Sequence, residues 1–279
     1  IQTFKLRKDL PSELYNLDIL DGSPPCSSFS TAGNRDKDWG KEKKFREGQA
    51  KQILDTLFFD FIDLAKELQP KIVVAENVKG ILMGDAKKYC AEIYEAFDAA
   101  GYCLDKWLLN SSTMGVPQTR ERVFFIGVRK DLASNLPKGM DLFNNMPNLN
   151  LHFNEKQIAF NDMIQDLDVD VENTELTELY QGYWRDAKQG EAVGKFGSIK
   201  KIIENKPIPT ITTGQMFHPT EMRTLSKQEY CVGGSYPLDY NFLDNKPRYL
   251  IGMSVPPIMI AQIASRIYNQ WLTILTESP

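Results

Sequence analysis

Three stretches of this sequence carry side chains able to do chemistry, and they stand far apart in the chain. Cys26 lies in Gly22-Ser23-Pro24-Pro25-Cys26-Ser27-Ser28-Phe29-Ser30. The two prolines fix φ near about −65° and remove two backbone donors, so the loop is stiff and the sulfur is aimed in one direction. Glu76 follows an apolar run in Ala75-Glu76-Asn77-Val78, and Arg120 and Arg122 stand two residues apart in Gln118-Thr119-Arg120-Glu121-Arg122. A Cys–His acyl-transfer site needs a histidine, and the only two, His152 and His218, lie beyond the part with α/β patterning. A thiol with a carboxylate and guanidinium groups suits attack on an electron-poor ring instead. The acid would hydrogen-bond a ring nitrogen, and an arginine would hold a ring carbonyl. A free thiol, with pKa about 8.5, is only a few per cent thiolate at neutral pH, and neighbouring arginines would raise that share. Plainer readings exist for each group. An isolated cysteine is more often a small hydrophobe, Glu76 could cap the next helix, and the arginines could form surface ion pairs.

The elements that must position these groups follow from periodicity. Residues 17–21 read as a short buried strand, which places Cys26 on the loop at its carboxyl end, where open α/β sheets carry their chemistry. Apolar residues recur at helical spacing from Gln49 to Leu68, and Pro70 stops that helix. Residues 71–75 read as a buried parallel strand delivering Glu76 to the same sheet edge as Cys26. A second helix over 84–100 is closed by Gly101, a strand covers 102–109, and turn residues 110–117 lead through the arginine pair into the apolar strand 123–128. This alternation predicts a doubly wound α/β domain. It breaks at residue 131. From there to about 205 the sequence is mixed, with an acidic run from Asp162 to Glu178, and reads as a smaller domain or long insertion. The domains expected are thus 1–130, 131–205, and 206–279 returning to the first, with an apolar-rich helix over 258–275 packing back onto the sheet.

With 33 Lys and Arg against 37 Asp and Glu, the net charge of −4 excludes a globally basic nucleic-acid binder. Any DNA contact must come from local patches. One is the loop 31–48, with six basic against four acidic residues, read either as a solvated loop or as a lid closing on a polyanion. Others are Tyr183-Trp184-Arg185, residues 195–201, and Thr210-Ile211-Thr212-Thr213-Gly214. The four cysteines show no CxxC pair or metal-ligand spacing, so neither a metal site nor an oxidising compartment is expected. No run of 18 apolar residues supports a membrane partner.

Pro24-Pro25-Cys26 with Phe29-Ser30, then Glu76-Asn77-Val78, then Gln118-Thr119-Arg120-Glu121-Arg122 resemble, in order, three signature motifs of the cytosine-5 DNA methyltransferases. Arg223-Thr224-Leu225-Ser226-Lys227-Gln228-Glu229 and Gly252-Met253-Ser254-Val255-Pro256 resemble the two that close that fold. Any one occurs by chance; five in order are specific. The resemblance implies a Rossmann-like, S-adenosylmethionine-dependent methyltransferase sheet with a second, smaller target-recognition domain, and double-stranded DNA as partner. It implies that Cys26 adds to carbon 6 of a flipped-out cytosine, that Glu76 stabilises charge on ring nitrogen 3, and that Arg122 holds the ring carbonyl. Arg120 would support the site and lower the thiolate pKa. Pro25, Leu57 and Ser254 would wall the cofactor, while Ser28, Arg35, Lys43, Lys44, Thr212 and Thr213 would meet DNA.

There are two departures from the family pattern. Nothing like its opening Phe-x-Gly-x-Gly cofactor loop, or the acidic residues after it, precedes Ile1. The chain is therefore expected to be a fragment, inactive alone, that binds S-adenosylmethionine poorly or not at all, which micromolar binding in calorimetry would refute. Met253 stands where the family usually has Asn. An RNA cytosine methyltransferase of similar fold and a catalytically inactive DNA-binding subunit are the competing readings. The expected location is the cytoplasm, at a bacterial or phage nucleoid, or the nucleus in a eukaryote.

Overall fold

The structure is a computed structural model and describes residues 7, 9–25, 56–84, 86–138, 146–193, 199–212 and 214–277. The chain divides into two compact units. The first comprises Ile1–Leu109, Glu121–Leu151 and Arg266–Pro279; the second comprises Asn110–Arg120 and His152–Ser265.

The first unit is built on a four-stranded sheet in the order β1-β2-β5-β3, with β1 at Ile19–Gly22, β2 at Ile72–Val78, β3 at Tyr102–Asn110 and β5 at Glu121–Arg129. Helix α1 spans Leu57–Leu68 and ends where Gln69 turns left-handed, its N–H bonded to the Ala65 carbonyl. Helix α2 spans Ala86–Ala99, and Gly101, at φ +96°, makes the turn into β3. Phe58, Phe61, Ile62 and Ala65 of α1 and Tyr89, Ile93 and Phe97 of α2 form one core with Val73, Ala75, Val123 and Phe125. The opposite-facing residues Ile72, Val74, Phe124, Ile126 and Val128 are buried as well. Burial on both faces is why these strands read as unbroken apolar runs.

The strands of this α/β sheet are mixed in direction. β2 is parallel to β1, with Gly22 opposite Ala75, but antiparallel to β5, with Val78 opposite Arg122. A parallel neighbour needs a crossover of a dozen or more residues, usually helical. Residues 111–120, which lead into β5, hold only a 3-10 turn and the two-residue strand β4, Gln118–Thr119.

The second unit has little regular structure. β4 pairs in parallel with β7, Ile208–Pro209, and β6, Lys200–Lys201, pairs with β8, Met216–Phe217. Its helices are α3, Phe160–Ile164, α4, Glu178–Asp186, α5, Lys227–Gly233, and α6, Pro247–Met253. One core joins Phe160, Met163 and Ile202 to Ile208, Ile211, Met216, Leu225, Tyr230 and Ile251. Residues 131–138 and 146–151 fall in the first unit, and Ile208, Ile211, Met216, Leu225 and Ile251 share a core with Phe160, Met163 and Ile202 of the variable segment.

Helix α7, Pro257–Ile267, continues through a π-helical turn at Tyr268–Leu272 into α8, Thr273–Glu277. By length and composition alone the stretch 247–276 could cross a membrane. It is broken at Ser254–Pro256, between α6 and α7. Within the first unit, Trp271 donates to the Asn148 carbonyl at 2.9 Å, and the Gln270 amide exchanges two hydrogen bonds with the backbone of Asn150.

Candidate active site

In the first unit the site forms where β2 ends and β5 begins. Alternation along the antiparallel pair puts Glu76, Val78, Arg122 and Phe124 on one face, the face turned away from α1 and α2. Glu76 and Arg122 are diagonal cross-strand neighbours there. They form an ion pair, with Arg122 Nε 2.9 Å from Glu76 Oε1, and both side chains are about seven-eighths buried, at 15% and 12% exposure. Arg122 Nη1 also donates to the Glu121 carbonyl at 2.8 Å. Burial draws the guanidinium pKa down, and Glu76 works against that shift.

Asn77, buried on the other face, ties this strand end to the cysteine loop. Its Nδ2 donates to the Pro24 carbonyl at 3.1 Å, while its Oδ1 accepts the N–H of Val78. β1 thus hands the chain to Ser23-Pro24-Pro25 beside the residue that follows Glu76. Sequence reasoning had assigned Asn77 no role, although a buried amide between a charged residue and a strand end is the available signal. Pro25 is half-buried, and Leu57 is buried in the first turn of α1. Cys26, Ser28, Arg35, Lys43, Lys44 and Thr213 lie outside the described residues.

Arg120 lies in the second unit. It is 2% exposed. Its Nη1 donates to the Ile211 carbonyl at 3.1 Å and its Nη2 to the Gly252 carbonyl at 2.9 Å. Both η nitrogens are engaged on backbone oxygen, forming a clamp within the second unit; Cys26, whose thiolate this guanidinium is expected to serve, lies outside the described residues. Gln118 is 1% exposed and works alongside it. Its Oε1 accepts the Ile211 N–H at 3.0 Å, and its Nε2 donates to the Gly233 carbonyl at 3.0 Å. Thr212, next to the buried Ile211, is exposed. Ser254 donates its hydroxyl to the Ile251 carbonyl at 3.0 Å, and Met253 is exposed.

Two further stretches prove to be internal scaffolding. Arg223 grips the fully buried Glu229 with two bonds, of 2.7 and 2.8 Å, and bonds Glu221 through Nε at 2.7 Å. Burial pulls its pKa down, and the hydrogen bonds to both carboxylates outweigh that, so the net shift is upward. Glu229 also closes a capping box with Ser226 at the start of α5. His218 stands 3.6 Å from both glutamates, accepts the Glu221 N–H at Nδ1, and is held below the usual histidine range by burial and then by Arg223. Of the expected DNA contacts, Trp184 donates its indole N–H to the His218 carbonyl. Lys201 lies over the Trp184 ring at 3.6 Å and donates to the carbonyls of Trp184 and Ala187.

The first unit thus holds a mixed α/β sheet with a carboxylate and a guanidinium paired at its strand ends, next to the loop that begins Pro24-Pro25. The family model for C-5 cytosine-specific DNA methylase matches residues 2–269, and the chain belongs to that family. Over 129 residues, 46% of this chain, it is 41% identical to the orphan methyltransferase M.SPRI of Bacillus phage SPR, and that match spans 27% of the relative's length. It is 27% identical over 263 residues to the type II methyltransferase M1.HphI of Haemophilus parahaemolyticus, covering 90% of this chain and 68% of that one. Among solved structures, an E. coli protein described as a prophage-encoded DNA modification methyltransferase has the same fold. Its TM-score is 0.68 at 20% identity, covering 96% of this chain and 81% of that one.

Proposed function

We infer that this chain carries the cytosine-activating site of a DNA (cytosine-5-)-methyltransferase. The observation that carries the reading is the buried Glu76–Arg122 ion pair at the end of β2, beside the anchored start of the Pro24-Pro25-Cys26 loop. Carbon 5 of cytosine is too weak a nucleophile to be methylated directly. The Cys26 thiolate adds to carbon 6 and pushes electron density onto carbon 5. Glu76 hydrogen-bonds or protonates ring nitrogen 3, where charge develops, and the Arg122 guanidinium holds the ring carbonyl oxygen. The ion pair orients the two side chains against one another before the base arrives. Loss of the carbon 5 proton then releases the sulfur. The target cytosine must leave the helix stack to reach these groups.

S-adenosylmethionine, when bound, supplies the methyl electrophile. The described residues fit it in part. In the first unit the half-buried Pro25 offers apolar surface at the start of the loop while Leu57 is buried in α1; in the second unit the Ser254 oxygen retains acceptor capacity while its hydrogen is bonded to Ile251.

The test is covalent trapping on duplex DNA carrying 5-fluorocytosine, with S-adenosylmethionine present. A stable protein–DNA adduct is expected from the full-length protein and none from its Cys26→Ser variant. An adduct that survives that substitution, or trapping on RNA but not DNA, overturns the assignment.

A further inference from the structure

One buried guanidinium joins two segments that the methyl-transfer reading gives to different ligands. Ile211, whose carbonyl accepts Arg120 Nη1, precedes Thr212 on the stretch assigned to DNA. Gly252, whose carbonyl accepts Nη2, stands two residues before Ser254, assigned to the cofactor. The two backbones meet at this point. A Cβ placed on Gly252 would lie 3.2 Å from the carbonyl carbon and oxygen of Thr212 and 3.3 Å from its Cα. The stretch 208–212 is also strapped to 117–120 along its length. Ile208 N–H donates to the Pro117 carbonyl at 3.0 Å, the Thr210 hydroxyl to the Thr119 carbonyl at 2.7 Å, and Ile211 N–H to Gln118 Oε1 at 3.0 Å.

We propose that Arg120 is a positioning residue that sets the segment 210–212 against the turn 252–254, so that the hold on duplex DNA and the hold on the cofactor change together. A guanidinium suits this task because its rigid fork can serve two carbonyls at once while staying charged in a buried place. A lysine ammonium is a point charge and cannot reproduce both bonds in the same plane. The clamp itself is independent of function; only the identity of the two ligands rests on the methyl-transfer reading.

The experiment compares wild type with Arg120→Lys, which weakens the clamp, and Gly252→Ala, which pushes on Thr212 while leaving Arg120 in place. Folding of each is checked by thermal melting. In methyl-transfer assays both variants should raise KM for duplex DNA and KM for S-adenosylmethionine together, each by about tenfold, as expected when a buried hydrogen bond is lost. The pH profile of kcat/KM should not move. A shifted pH profile in Arg120→Lys would return Arg120 to the thiolate and overturn the clamp. So would a loss confined to kcat, a change in KM for one ligand only, or no change in either. If the wild type transfers no methyl group to DNA, the functional reading fails, and hydrogen exchange decides the clamp alone. Arg120→Lys must then speed exchange of the amides in both 208–212 and 250–254, and faster exchange in one stretch only refutes it.

Discussion

At the scale of single residues, what matters is what each buried charge is given to hold. Glu76 has Arg122 at 2.9 Å, on one face of the sheet. Replacing it by Gln keeps the shape and removes the charge that would stabilise a ring nitrogen. Glu76→Gln should therefore lower kcat for methyl transfer by about 10²–10⁴ while duplex affinity, read by fluorescence anisotropy, stays within a few-fold. His218 makes a prediction about pH. Its folded-state pKa lies below the ordinary value because burial and then Arg223 disfavour the cation, with Glu229 and Glu221 opposing. The unfolded chain thus takes up the proton first. Stability is at its full value above about pH 6.5 and falls as the pH drops through the folded-state pKa. Protonating Nδ1 also breaks the bond it accepts from the Glu221 N–H. Urea melts at pH 7.5 and 5.5 should show this loss, and His218→Gln should flatten the slope.

At the scale of elements, close approach and capping set the requirements. Gly127 sits in the middle of β5, where a Cβ would come 2.8 Å from the Cys103 carbonyl oxygen and 3.1 Å from Val73. Backbone cannot yield cheaply in a sheet, so Gly127→Ala should cost about 1–3 kcal/mol in denaturant unfolding. In α5 the Ser226 cap and the buried Glu229 serve the helix start and Arg223 together. Ser226→Ala should cost about 1 kcal/mol. Glu229→Gln should cost about 3–5 kcal/mol, since it removes the buried one of the two carboxylates that face the Arg223 guanidinium and leaves only the exposed Glu221. The strands were legible from the sequence because each is a continuous apolar run between turn residues. The direction of β5 was not, because a strand buried on both faces has the same pattern whichever way it runs. The bulk of helix α1 was legible from Leu57, Phe58, Phe61, Ile62, Ala65 and Leu68, which all fall on its buried side.

At the scale of the whole molecule, the proposed binding of DNA by a chain of net charge −4 would have to run through local groups. Bisulfite sequencing of DNA from cells expressing the complete protein should show 5-methylcytosine confined to one sequence context and absent with Cys26→Ser. Methylation spread over every context would argue against a target-reading segment in the second unit. The sequence by itself determined the family, through five short motifs in a fixed order, and it brought Glu76 to a strand end, because local periodicity and motif chemistry are written in neighbouring residues. Only the tertiary structure decided how the two arginines of one motif divide their work. Arg122 meets a carboxylate on its own sheet, whereas Arg120 meets carbonyls 91 and 132 residues away. Every backbone carbonyl is chemically alike, so nothing in the residue types at 211 and 252 announces such a partner, and folding alone selects it.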